Sequence, residues 1–84
     1  MALVTMTAEA AGQFAALPKA IKQRLTRLLE RLSNWPTVSG VKRLSGDLAN
    51  HYRLRTGDYR MQFRVEGERV IVEKIGHRDG FYED

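Results

Sequence analysis

Cysteine is absent from this 84-residue chain. That excludes a disulfide framework, a thiolate nucleophile and a thiolate metal site. Histidine is scarce, and His51 and His77 lie too far apart to suggest metal-ligand spacing. No Ser/His/Asp nucleophile elbow, phosphate-cradling glycine loop, zinc pattern or EF-hand loop occurs. Long apolar runs are missing as well. The uncharged stretch from Ala10 to Pro18 is short and contains Gly12, Gln13 and Pro18, so no membrane span is expected. The opening residues lack a basic segment leading into an apolar one. No signal peptide is therefore expected, and the expected location is the cytoplasm. There are no repeats, low-complexity tracts or linkers. At this length a second core cannot be built beside the first, so residues 1–84 are expected to form one domain, burying about 60% of the chain's extended surface.

What is present suits a small folded core. Hydrophobic residues make up 43% of the chain and charged residues 29%, which argues against disorder. Fourteen Lys/Arg against ten Asp/Glu give a net charge of +4, a statement about partners rather than fold. The excess is clustered. From Lys42 to Arg64 there are six basic residues against Asp47 and Asp58.

Leu3 to Met6 is apolar and suits a short strand. Thr7 is a candidate N-cap, with Glu9 in the first turn of a helix over Ala8 to Leu17 that ends before Pro18. Pro18 fits the first turn of a second helix, where Ile21, Leu25, Leu28 and Leu32, widened by Leu29, form an apolar stripe. Lys22, Arg24, Arg27 and Arg31 lie mostly off that stripe. A core-facing helix with a solvated basic face is the expectation there, ahead of a membrane-surface or partner-binding amphipath. Asn34-Trp35-Pro36 ends the helix, and Val38 to Gly46 reads as a connection.

From Tyr52 the period falls to two. Tyr52 and Leu54 alternate with Arg53 and Arg55, and Tyr59, Met61, Phe63 and Val65 alternate with Arg60, Gln62 and Arg64. Thr56-Gly57 reads as a tight hairpin turn. Glu66-Gly67-Glu68 reads as a second turn, leading to a third strand over Arg69 to Ile75. The expected fold is α+β, with two N-terminal helices packed on one face of a small antiparallel sheet. A Thr56-Gly57 loop would pair Arg55 with Asp58, Leu54 with Tyr59, Arg53 with Arg60 and Tyr52 with Met61. Tyr52, Leu54, Tyr59 and Met61 would then face the helices, while Arg53, Arg55, Arg60 and Arg64 fall on the other side. Like charges directly opposite each other are unfavourable. A polyanion would offset that cost, since guanidinium forks match phosphate oxygens. A solvated sheet face is the plainer alternative. The segment Gly76-His77-Arg78-Asp79-Gly80-Phe81-Tyr82 follows the third strand and would emerge beside the second. Its aromatic pair could simply pack, or stack on bases.

Together, Lys42-Arg43-Leu44-Ser45-Gly46, Tyr52-Arg53-Leu54-Arg55, Gly57-Asp58-Tyr59-Arg60 and Gly76-His77-Arg78 followed by Tyr82 resemble the RelE/ParE superfamily of bacterial toxin–antitoxin toxins. The resemblance covers nearly the whole chain and is closer to the RelE branch, whose members cut messenger RNA in the ribosomal A site. It implies a metal-free, cofactor-free attack of the ribose 2′-hydroxyl on the adjacent phosphorus. Arg53 and Arg55 match basic residues presented to the RNA backbone, the second near the attacking hydroxyl. Lys42 and Arg43 extend that RNA-binding set. Arg60 matches the arginine on the pentavalent phosphate, Arg78 the one near the leaving oxygen, and Tyr82 the base-stacking aromatic. Family members with the best-argued base carry lysine where this chain has Arg55. Arginine stays protonated, so His77 is the candidate for proton transfer.

The resemblance also implies a cognate antitoxin as partner, messenger RNA on the ribosome as target, no membrane, and DNA contact only through the antitoxin complex. Two alternatives share the fold. One is a ParE-like, non-enzymatic inhibitor of DNA gyrase. The other is an inactive nucleic-acid-binding relative.

Overall fold

The computed structural model describes residues 1–44, 46 and 50–81. It opens with strand β1 (Leu3–Met6). Thr7 then caps helix α1 (Ala8–Ala15), its Oγ1 accepting the Ala10 N–H at 3.1 Å, with Glu9 in the first turn. There a carboxylate meets the positive end of the helix dipole. α1 stops two residues short of Leu17, which precedes Pro18 and is disfavoured in the helical conformation. Pro18 is the N-cap of α2 (Lys19–Leu32) rather than a first-turn residue. Leu25, Leu28 and Leu32 are buried on α2, and Ile21 and Leu29 pack against them.

One short extra strand follows where a connection was expected to lead straight into a meander. β2 (Lys42–Arg43) is only two residues long, too short for any alternation to register in the sequence. β3 (His51–Thr56), β4 (Tyr59–Glu66) and β5 (Arg69–His77) form the expected antiparallel meander. The sheet order is β1-β5-β4-β3-β2. β1 pairs in parallel with β5, so the sheet is mixed rather than wholly antiparallel. That pairing joins the two ends of the chain, and local periodicity carries no trace of it.

The β3–β4 turn is Gly57-Asp58, not Thr56-Gly57. Thr56 pairs with Tyr59, Leu54 with Met61 and Tyr52 with Phe63. Gly57 takes φ +58° at the first central position, where a type II′ hairpin wants glycine. The register differs by two residues from the expected one. Because side chains alternate with period two, each residue keeps its face while changing its partner.

The inner face carries Leu54, Met61, Phe63, Val70, Val72 and Ile75, which form one core with Ala10, Leu25, Leu28 and Leu32 from both helices. Trp35 closes one end, edge-on to Tyr52 and Phe63 at centroid distances of 4.7 and 5.4 Å. The inner set switches from even to odd numbers along β5. Gln62 pairs with Lys74 but Phe63 pairs with Val72, so Glu73 is the extra residue of a β-bulge. The bulge turns Lys74 and Gly76 onto the outer face.

Candidate nucleic-acid interface

The outer face, away from the helices, holds two cross-strand rows. Lys42, Arg53, Gln62 and Lys74 are in register across β2, β3, β4 and β5, and Arg55, Arg60 and Gly76 are in register beside them. None of these partners is an acid. Arg53 is half-buried, and its pKa is lowered by burial first, then by the fields of Arg60 and Arg55. Gly40, Lys42, Arg53 and Arg55 line a polar cleft of ≈ 270 Å³. A larger groove lined by Ala2, Val4, Met6, Thr26 and Leu29 is mostly apolar. It runs between β1 and α2, away from the arginines.

Arg60 is oriented by the hairpin. Its Nη1 donates to the carbonyls of Gly57 at 3.2 Å and Tyr59 at 3.4 Å. Arg24 of α2 approaches the same turn from the helix side. A 3₁₀ turn, Arg78–Gly80, continues β5 at this end of the sheet. The Arg78 N–H donates to the Asp58 carbonyl at 2.7 Å, and its exposed guanidinium Nε lies 3.8 Å from Asp58 and 3.5 Å from Asp79. Such solvent-exposed contacts are weak, so a phosphate can compete for Arg78.

His77 stands apart from the arginine rows. It pairs with Tyr59 on the face of the inner residues, its ring edge-on at 5.3 Å. Its Nδ1 accepts the Asp79 N–H at 3.1 Å. The neutral ring therefore carries its proton on Nε2, which lies 4.0 Å from Asp58. Arg43 likewise pairs with Tyr52, which places it on the opposite side of the edge strand from Lys42. Tyr82 lies outside the described residues. Its neighbour Phe81 is 2% exposed and packs over Gly76.

The far end of the same face is neutralised. Arg64 Nε donates to Glu66 at 3.0 Å and Nη1 to Glu73 at 2.5 Å, while His51 Nε2 lies 2.9 Å from the other Glu73 oxygen. Arg64 therefore belongs to a structural ion-pair network, and the basic patch on this face is made of Lys42, Arg53, Arg55, Arg60 and Lys74. Sequence reasoning missed Lys74 and Gly76 as members of this face. The break in parity from Val70 and Val72 to Ile75 was the available signal.

A small mixed sheet backed by two helices, with guanidiniums gathered on its open face, is the architecture of a type II toxin–antitoxin toxin. The chain belongs to that class: residues 4–80 match the family described as the ParE toxin of the type II toxin-antitoxin system parDE. Within it the likeness is to the RelE branch. The chain is 28% identical over 71 residues to toxin RelE3 of Methanocaldococcus jannaschii, a match that takes in 80% of each protein. It superposes with a TM-score of 0.80 and 26% identity on a chain of the toxin–antitoxin complex RelBE2 from Mycobacterium tuberculosis, covering 92% of this chain and 98% of that one. The isolated RelE toxin of E. coli gives a TM-score of 0.80 at 18% identity, over 92% of this chain and 84% of that one, a likeness of fold alone.

Proposed function

We propose that this toxin is an endoribonuclease that cuts messenger RNA in the A site of the ribosome, inhibiting translation, and that a cognate antitoxin neutralises it. The observation that carries the reading is the opposed pair Arg55 and Arg60, with Arg53 and Lys42 in the adjoining cleft and Arg78 at the rim. The ribose 2′-hydroxyl gives its proton to water as its oxygen attacks the neighbouring phosphorus. The bond to the 5′-oxygen breaks and that oxygen takes a proton from water, leaving a 2′,3′-cyclic phosphate and a 5′-hydroxyl. Charge builds on the equatorial phosphate oxygens, which is the charge that clustered guanidiniums stabilise. Arg55 and Arg60 take the reacting phosphate and Arg78 the leaving oxygen. Arg53 and Lys42 hold an adjacent phosphate, and Tyr82 stacks on a base. The chemistry draws on guanidiniums rather than on a bound metal ion. Arg43 contributes from the strand edge. His77 lies across the sheet from Arg55 and Arg60, with its Nδ1 engaged by the Asp79 N–H, so its contribution is to hold the Arg78 turn.

The match to ParE toxins favours a second reading, in which the protein inhibits DNA gyrase without cleaving anything. Primer extension on a defined mRNA, with and without ribosomes, separates the two. Cuts within A-site codons that need ribosomes and vanish in Arg78→Ala support the ribonuclease. No cuts under any condition, together with inhibited supercoiling, would replace it with the gyrase reading. No effect in either assay, with salt-sensitive RNA binding, would mark an inactive relative.

A further inference from the structure

Resting on the ribonuclease reading, we propose that Phe81 and Lys74 are positioning residues. They form a latch that folds the chain back onto the sheet and fixes where Arg78 stands beside Arg60. Phe81 is 2% exposed yet does not belong to the main core. It sits on the outer face, because a Cβ on Gly76 would lie 3.6 Å from its ring. Gly76 is the cross-strand partner of Arg60, so the ring fills the notch next to the arginine that meets the phosphate. Lys74, turned to this face by the bulge, places Nζ 4.8 Å from the ring centroid and donates a hydrogen bond to the Phe81 carbonyl.

The short turn between them is pinned at both ends. At its entry the Arg78 N–H is held by the Asp58 carbonyl at 2.7 Å, and at its exit Phe81 is held in the notch. Arg78, Asp79 and Gly80 are themselves exposed, and among the described residues it is Phe81 that packs at their exit. Without the exit pin the segment frays like an untethered chain end, and Arg78 wanders from the leaving oxygen. Misplacing a reacting group by about 1 Å costs on the order of 100-fold in rate.

The test compares wild type with Phe81→Ala, Lys74→Met and the conservative Phe81→Leu. Two quantities are read: ribosome-programmed cleavage, and amide hydrogen exchange at Arg78. For Phe81→Ala and Lys74→Met the expected result is a fall in kcat of about 10- to 100-fold with KM within roughly threefold. Exchange at Arg78 should quicken while Val70, Val72 and Ile75 stay protected, and Phe81→Leu should recover most of the rate. If Phe81→Ala fails to fold, Lys74→Met decides. A Lys74 that merely contacts RNA would raise KM and leave the Arg78 amide protected, which would overturn the latch. Wild-type rates in a variant whose Arg78 amide has become labile would overturn it too. A wild-type protein that cuts no RNA would instead remove the ribonuclease reading itself, a failure visible before any variant is made.

Discussion

Arg55 on β3 stands directly opposite Arg60 on β4, and burial, followed by the fields of Arg60 and Arg55, lowers the pKa of Arg53 in the next row. Like charges across a strand pair are unfavourable by up to about 1 kcal/mol, so this arrangement is maintained against the stability of the free protein. Arg55→Gln should therefore leave the fold as stable or slightly more stable, by no more than about 1 kcal/mol. The same change should weaken RNA binding and lower the dependence of log affinity on log salt by about one. Urea unfolding and a salt titration of RNA affinity check the two halves. A destabilised variant that binds RNA as well as wild type would show that Arg55 serves the fold instead.

Arg64 shares that face but not that role. Its pKa is raised, chiefly by the hydrogen bond to Glu66 and next by that to Glu73. A raised folded value means its contribution is complete at neutral pH and is lost only in strong alkali. Arg64→Gln should thus leave the salt dependence of RNA binding and the cleavage rate near wild type. Arg60→Gln should reduce both. A loss of salt dependence in Arg64→Gln equal to that in Arg60→Gln would extend the site along the whole sheet.

The two faces of the β3–β4 hairpin were legible in the sequence although its partners were not. Alternation fixes parity, and a turn shifted from Thr56-Gly57 to Gly57-Asp58 moves the register by two and leaves parity alone. Arg53, Arg55 and Arg60 were therefore placed on the right face with the wrong opposite numbers. The His77 position was not legible, because the bulge at Glu73 reverses parity along β5 and a single chain offers only the spacing of Val72 and Ile75 as a clue. β1 was readable as a strand, but its parallel partner was not, since that contact spans the whole sequence.

Gln13 shows how a residue that reads as helix surface can hold the sheet. β1 ends at Met6, opposite Val72, which leaves the next part of β5 without a neighbouring strand. α1 covers that edge, and Gln13 Oε1 accepts the Ile75 N–H at 2.7 Å. Removing the acceptor strands a backbone donor beside the core. Gln13→Ala should cost about 1–3 kcal/mol, whereas Gln23→Ala, at an exposed position on α2, should stay within about 0.5 kcal/mol of wild type. Chemical denaturation of the two variants makes the comparison, and equal stabilities would remove the cap from the account of the fold.

Gly57 is constrained twice. Its φ of +58° disfavours any side chain, and a Cβ there would come within 2.7 Å of the Arg24 guanidinium. The two constraints differ in cost. Arg24 presents the far end of a flexible chain and can swing aside, whereas left-handed backbone costs an L-residue about 1–2 kcal/mol wherever its neighbours go. Gly57→Ala should therefore lose about 1–2 kcal/mol, and adding Arg24→Ala should restore little of it. The turn carries the carbonyls of Gly57 and Asp58, which orient Arg60 and anchor Arg78. Cleavage by folded Gly57→Ala should accordingly fall further than its stability loss explains. A double variant that regains full stability would mean that the approach of Arg24, not the backbone, sets the requirement for glycine.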